Sequence, residues 1–300
     1  MRSINFILGG LFLCIGLLVW SGCASKPKPV QPSIDYPASA PAAEKYQAAE
    51  QAIANKDYNS ALVLLKAASK LTKNAKQSEQ ILFQTGECQF YLGQYKPANS
   101  TYSKLLERFP TTDRLNDVIK REFDIGLKLT AAHYGLGVEI VRKMLTDYPY
   151  AETSEESHFK LIVELFQWDN YEDTLLESSA FTMRYTKSKF MPGVEYYTAL
   201  AQLGLYEGPD YDEAPLAAAK KIVSQWPQKY PDSPIKNDII NITEKINFLL
   251  AERDYKRAEY YVWHDKPGSA KIYLNSIIKN YPDTKWVEDA RKLLGKLPAQ

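Results

Sequence analysis

Three histidines, His133, His158 and His264, are the side chains with which catalysis or metal binding would most readily begin. None of them lies at metal-ligand spacing from another histidine or from a cysteine. Residues 155–158 read Glu-Glu-Ser-His and look like an acid–base cluster, but at the start of a predicted helix the acidic pair is expected to answer the helix dipole. The sequence carries neither a Walker-type phosphate loop nor a nucleophile elbow. We therefore predict a protein that is not an enzyme and that uses no cofactor or metal.

Cys23 is the residue whose surroundings predict a covalent modification. A cationic start and an apolar stretch over 6–20 precede it, which is typical of a secretory signal peptide and too short for a comfortable membrane span. Ser21 and Gly22, directly before the cysteine, resemble the bacterial lipobox, in which the thiol takes a diacylglyceryl group and becomes the mature N-terminus. We expect removal of 1–22 and lipidation of Cys23. The alternative is an ordinary signal peptide in which the cysteine occurs by chance.

A proline-rich spacer follows the cysteine. Residues 24–41 contain five prolines among small and polar residues and have no apolar periodicity, so this segment is expected to be a semi-extended linker. Ala24 stands where many proteobacterial lipoproteins that stay at the inner membrane have aspartate. In a chain that resembles a lipoprotein, the absence of this aspartate implies an outer-membrane protein, anchored by lipid on the periplasmic face. The predicted organisation is a signal peptide at 1–22, a lipidated linker at 23–41 and a folded domain at 42–300.

The balance of charge limits the classes of partner. The chain has 37 basic and 36 acidic residues, and Arg2 is the charged residue of the predicted signal peptide, so the remainder is formally neutral. Such a chain lacks the basic surface expected of a nucleic-acid-binding protein. Cys88 would remain as a lone thiol after processing, and it is interpreted either as a small buried hydrophobe or as a reactive group. No intramolecular disulfide is expected in the mature chain.

From residue 42 onward two short motifs recur at intervals long enough for two helices. The first is an aromatic residue followed by a helix-stopping proline, with one degenerate copy: Phe109-Pro110, Tyr148-Pro149, Tyr185-Thr186, Tyr230-Pro231 and Tyr281-Pro282. The second is a polar turn, a tyrosine and a small residue three positions on: Tyr58 with Ala61, Tyr95 with Ala98, Tyr171 with Thr174, and Tyr211 with Ala214. The tyrosine is expected to pack between paired helices, and the small residue lets their backbones approach.

These motifs resemble the tetratricopeptide repeat, and the second copy fits best, with Gly86, Gly93, Tyr95, Ala98 and Pro110 at consensus positions. We predict an all-α solenoid of about five helix pairs plus a C-terminal capping helix. The expected repeats span 42–74, 78–111, 117–150, 154–187 with a helical continuation at 193–206, and 211–283 with an enlarged insertion. The capping helix is expected at 284–295, with Trp286, Ala290, Leu293 and Leu294 on one face.

The last hundred residues carry a more specific resemblance. The segments in question are Tyr196 to Gly204, Lys229-Tyr230-Pro231-Asp232, Leu250-Ala251-Glu252-Arg253, Tyr260-Tyr261 and Asn280-Tyr281-Pro282-Asp283. Their order is similar to that of the outer-membrane assembly lipoprotein family known as BamD or YfiO. The resemblance implies a non-enzymatic scaffold that binds the β-barrel insertase, other subunits of the assembly complex and unfolded outer-membrane protein segments. The alternative is a repeat-based periplasmic adaptor for cell-wall or division machinery.

Two sets of residues are candidates for binding. Alignment of the first two repeats places five side chains on a groove suited to a peptide: Tyr46, Glu50, Phe83, Glu87 and Phe90. Ordinary packing between repeats is the alternative interpretation of these five residues, and of the aromatic ones in particular. Glu252 and Arg253, on a predicted long helix, are candidates for docking a partner protein.

Overall fold

The computed structural model describes residues 39–298, which contain thirteen helices and no strand. The predicted signal peptide, Cys23 and nearly all of the linker lie outside the described residues. The helices are α1 (Ala40–Ala54), α2 (Tyr58–Leu71), α3 (Ala75–Tyr91), α4 (Tyr95–Arg108), α5 (Leu115–Ala132), α6 (Tyr134–Asp147), α7 (Ser154–Gln167), α8 (Tyr171–Arg184), α9 (Met191–Gly204), α10 (Ala214–Lys229), α11 (Lys236–Trp263), α12 (Pro267–Asn280) and α13 (Trp286–Leu294). In this described part, no helix is both long enough and apolar enough to cross a membrane.

Successive helices form antiparallel pairs, and each pair packs on the next. We call the first helix of a pair the A helix and the second the B helix. The all-α solenoid is confirmed, and α13 caps it by burying Val287 and Ala290. The described chain holds six pairs, not about five, because 193–283 contains two pairs, α9–α10 and α11–α12. Tyr211 is not a turn tyrosine: it is exposed, and α10 begins only at Ala214.

The turn between A and B helices has one geometry in four pairs. Its middle residue adopts positive φ, at 59° in Lys56, 71° in Gly93, 56° in Asp169 and 54° in Asp265. Glycine accepts this conformation without a steric penalty, whereas the other three side chains are rarely found there. The turn before α12, which lacks the glycine of the second repeat, is therefore built like the others.

The B helices end where the aromatic motif predicts. Phe109, Tyr148, Tyr185, Tyr230 and Tyr281 are the residues directly after α4, α6, α8, α10 and α12, with φ between −118° and −135° and ψ between 50° and 67°. A following proline disfavours helical backbone at the residue before it, which explains four of these ends. Tyr185 has the same backbone without a proline, and its hydroxyl donates a hydrogen bond to the Pro149 carbonyl at 2.8 Å.

Candidate functional site

A cleft between A helices contains three of the five predicted groove residues. Tyr46 and Glu50 come from α1 and Phe83 from α3, and the start of α5 closes the third side of a space of about 470 Å³. We call it the A-helix cleft. Its full lining is Tyr46, Glu50, Lys76, Glu79, Gln80, Phe83, Gln84, Asp113, Arg114 and Asp117. The three predicted residues meet because α1 and α3 are the A helices of adjacent pairs, and both helices line the same cleft.

The floor of the A-helix cleft is aromatic and its rim is charged. The Arg114 guanidinium lies 4.8 Å from the centre of the Phe83 ring, which is buried. Burial, together with the Glu50 carboxylate, raises the pKa of Tyr46 to about 12, so its hydroxyl stays protonated and can donate a hydrogen bond. Charges of both signs surround an apolar floor, an arrangement that suits non-covalent binding of a peptide segment.

Glu87 and Phe90 are not part of that cleft. Arg121 of α5 donates two hydrogen bonds to Glu87, at 2.7 and 2.8 Å, and the Tyr102 hydroxyl donates a third at 2.5 Å. The same guanidinium lies 4.6 Å from the centre of the Phe90 ring. Burial alone would raise the pKa of Glu87, but the hydrogen bonds from Arg121 and Tyr102 hold it below its usual value. For these two residues the packing interpretation fits the contacts better than the groove interpretation.

The apparent acid–base cluster is not brought together. Glu155 and Glu156 lie in the first turn of α7, where Glu156 pairs with Lys160. His158 points into the core and contacts Glu177 of α8 at 2.9 Å. Within residues 39–298 no group of three or more His, Cys, Asp and Glu side chains is placed to hold a metal ion. Cys88 is confirmed as buried, and burial raises the pKa of its thiol to about 11.

The two docking candidates on α11 differ in availability. Arg253 is committed within the chain: its guanidinium contacts Asp254 at 2.7 Å and Glu213 at 2.8 Å. A charge reversal there would disturb folding before it tested docking. Glu252 is half-buried and forms none of these ion pairs.

Sequence reasoning missed an aromatic surface at the end of α11. Trp263 is 82 % exposed and Tyr260 57 % exposed, and the His264 ring lies 3.8 Å from that of Tyr260, centre to centre. We call these three residues the α11 tip. The signal in the sequence is a tryptophan directly before a polar turn. Trp and Tyr are enriched at the energetic centres of interfaces, so this position could have been identified as a candidate binding surface.

The paired helices, capped at one end and lined by clefts, define a tetratricopeptide-type repeat protein. A family model described as tetratricopeptide repeat matches residues 80–112, which is the second repeat. A second model, YfiO, described as outer membrane lipoprotein, matches residues 125–296, more than half of the chain. The chain belongs to this YfiO outer membrane lipoprotein family.

Two relatives carry the same name, outer membrane protein assembly factor BamD. The protein from Pasteurella multocida is 21 % identical over 173 residues, which are 54 % of this chain and 66 % of the relative. The one from Vibrio cholerae is 26 % identical over 167 residues, or 52 % of this chain and 68 % of the relative. Among solved structures, a tetratricopeptide repeat protein from Parabacteroides merdae aligns with 86 % of this chain and 98 % of its own at 12 % identity, with a TM-score of 0.42. This chain thus matches about two thirds of the length of its BamD relatives.

Proposed function

We propose that this protein is a non-enzymatic lipoprotein scaffold of the machinery that assembles β-barrel proteins in the outer membrane. The observation that carries the proposal is the match of residues 125–296 to the YfiO family, together with two relatives named as assembly factors. The partners would be the barrel insertase, other subunits of the complex and unfolded outer-membrane protein segments. The repeat-based adaptor for cell-wall or division machinery remains the second candidate, because it would use the same signal, linker and solenoid.

The two ends of the solenoid would have separate tasks. In our proposal the A-helix cleft, in the first three pairs, holds an unfolded segment through Tyr46, Glu50 and Phe83. The last two pairs dock the insertase, because the family match covers them and because Trp263 and Tyr260 leave a large aromatic surface in solvent. Glu252 stays a candidate for the edge of this contact. The pairs proposed to hold the unfolded segment do not touch the pairs proposed to dock the insertase, as expected of a solenoid in which each repeat contacts only its neighbours.

Substitution of the α11 tip tests the docking proposal. Deleting 250–300 would cut α11 in the middle and expose its buried isoleucines, so point changes are preferable. Trp263→Ala with Tyr260→Ala is expected to reduce co-purification of the barrel insertase from gently solubilised membranes by about tenfold or more. Trp168→Ala is the matched control, because this tryptophan is 52 % exposed and directly follows α7 at the equivalent turn. Equal recovery of the insertase with the double variant and with the control would contradict the proposed surface.

Lipidation of Cys23 attaches the scaffold to the membrane in this proposal. The supporting observation is the apolar segment followed by Ser21, Gly22 and Cys23. Intact-mass spectrometry of protein from native membranes is expected to show an acylated N-terminal cysteine, and Cys23→Ser is expected to give unprocessed precursor without acyl mass. An N-terminus at another residue would contradict lipidation and favour an ordinary signal peptide. Stable attachment needs the two or three acyl chains that this pathway supplies, since one chain binds reversibly.

A further inference from the structure

A second cleft lies between α2, α3 and α4, and it differs from the A-helix cleft in charge. It encloses about 470 Å³, and its lining includes Lys66, Lys104 and Arg108 but no carboxylate. All three cations are exposed, and none of them forms an ion pair within the described residues. We call it the basic cleft. In a chain that is almost electrically neutral, such a local excess of positive charge is a distinct feature.

The positions of the three cations make this excess of positive charge energetically unfavourable when no ligand is bound. Lys104 and Arg108 are four residues apart on α4 and therefore neighbours on its surface, where like charges repel. Lys66 faces them from α2 across the cleft. A ligand that brings negative charge would relieve this repulsion.

The residues at the floor of the basic cleft favour one kind of anionic ligand over another. Leu62 of α2 and Leu82 of α3 are half-buried and give it an apolar surface. The hydroxyls that line it already donate hydrogen bonds within the chain: Ser69 to the Lys66 carbonyl at 2.9 Å, Ser78 to the Asn74 carbonyl at 2.9 Å, Thr85 to the Ile81 carbonyl at 2.7 Å and Thr101 to Gln89 at 2.7 Å. A phosphate group would thus find no free neutral donor among these hydroxyls, whereas carboxylates spaced along an apolar segment would meet both the cations and the leucines.

We propose that the basic cleft is a docking site for an acidic, amphipathic peptide segment of a partner protein. Carboxylates of the segment pair with Lys66, Lys104 and Arg108, while its apolar side chains contact Leu62 and Leu82. Exposed charge pairs of this kind set orientation and association rate, so binding is expected to weaken as salt is added. The site does not depend on a role in barrel assembly, because its lining shares no residue with the A-helix cleft or with the α11 tip.

The test uses a fluorescein-labelled peptide of alternating leucine and glutamate, with a glutamine-for-glutamate version as the neutral probe. Binding to the full chain is measured by fluorescence anisotropy. The parent is expected to bind the acidic peptide about tenfold more tightly than the neutral one, and Lys104→Gln with Arg108→Gln is expected to remove that preference. Lys187→Gln with Lys245→Gln is the matched control, because it removes two exposed cations elsewhere and should leave the preference unchanged.

Three results would overturn the proposal. The first is equal affinity of the parent for the acidic and neutral peptides, and the second is an undiminished preference in the Lys104→Gln, Arg108→Gln variant. The third is a loss, in that variant, of binding to phosphatidylglycerol vesicles without any loss of peptide affinity, which would assign the cleft to a lipid headgroup. Far-ultraviolet circular dichroism and the Tm of each variant confirm that a change in binding is not a change in folding.

Discussion

Gly137→Ala is expected to destabilise the protein by about 3 kcal/mol or more, because there is no room for a methyl group at this position. A Cβ built on Gly137 of α6 would lie 2.1 Å from the Thr130 nitrogen and 2.6 Å from the Gly126 carbonyl oxygen. Both atoms belong to the backbone of α5, so relief requires the whole helix pair to separate. Urea unfolding followed by helical circular dichroism measures the loss.

Gly135 provides the control for that substitution. It lies two residues earlier on α6, and a Cβ there would meet no atom within 4 Å. Gly135→Ala is therefore expected to keep the free energy of unfolding within about 1 kcal/mol of the parent. If the two alanine variants unfold at the same urea concentration, the close approach of α5 and α6 is wrong.

A second large effect is expected at Glu122, which is 2 % exposed and lies on α5. Asn99 donates a hydrogen bond to one carboxylate oxygen, and the other oxygen has no hydrogen-bond partner among the described residues. Burial raises the pKa of Glu122 from 4.5 to about 7, although Asn99 and Lys143 both act to lower it. At pH 8 the folded protein therefore holds a charged carboxylate in a buried site, at a cost to its stability.

Glu122→Gln is expected to raise the free energy of unfolding by about 1–3 kcal/mol at pH 8. Between the usual carboxyl pKa and the raised pKa, the folded chain binds more protons at this site than the unfolded chain does. The contribution of Glu122 to stability therefore falls as pH rises through this window and is constant above it. The difference in free energy of unfolding between the Glu122→Gln variant and the parent should therefore become smaller as the pH is lowered towards 5. Glu152→Gln, in an exposed loop, is the control, and a difference at position 122 that does not vary with pH would contradict this account.

The parts of the fold that were predictable depend on local chemistry. An aromatic residue before proline ends a B helix by sterics that act within a few residues, and these ends fall where the sequence places them. The α9–α10 pair was not predictable in the same way, because Tyr211 matches the turn motif in sequence and yet lies outside a helix. Tyr211 has the turn motif but not the turn, whereas Asp265 forms the turn without the glycine of the second repeat, because it takes the left-handed conformation itself.

The sequence predicted which equivalent positions of adjacent repeats line the candidate site. It did not predict which side chains reach those positions from another repeat. Tyr46, Glu50 and Phe83 follow from the register of two adjacent repeats, and the structure brings them to one cleft. The assignment of Glu87 and Phe90 did not take account of Arg121, which reaches them from the third repeat. An alignment of repeats compares equivalent positions, and it does not reveal which side chain of the next repeat occupies the space between them.

Controlled depletion of this protein tests the central claim, that it is a scaffold for barrel assembly. The steady-state amount of folded outer-membrane porins, measured as the heat-modifiable species on gels, is expected to fall as the protein is lost. Peptidoglycan composition and septum placement should change only afterwards. Unchanged porin levels together with an early defect in the cell wall or in division would contradict the claim and identify the protein as an adaptor for that machinery.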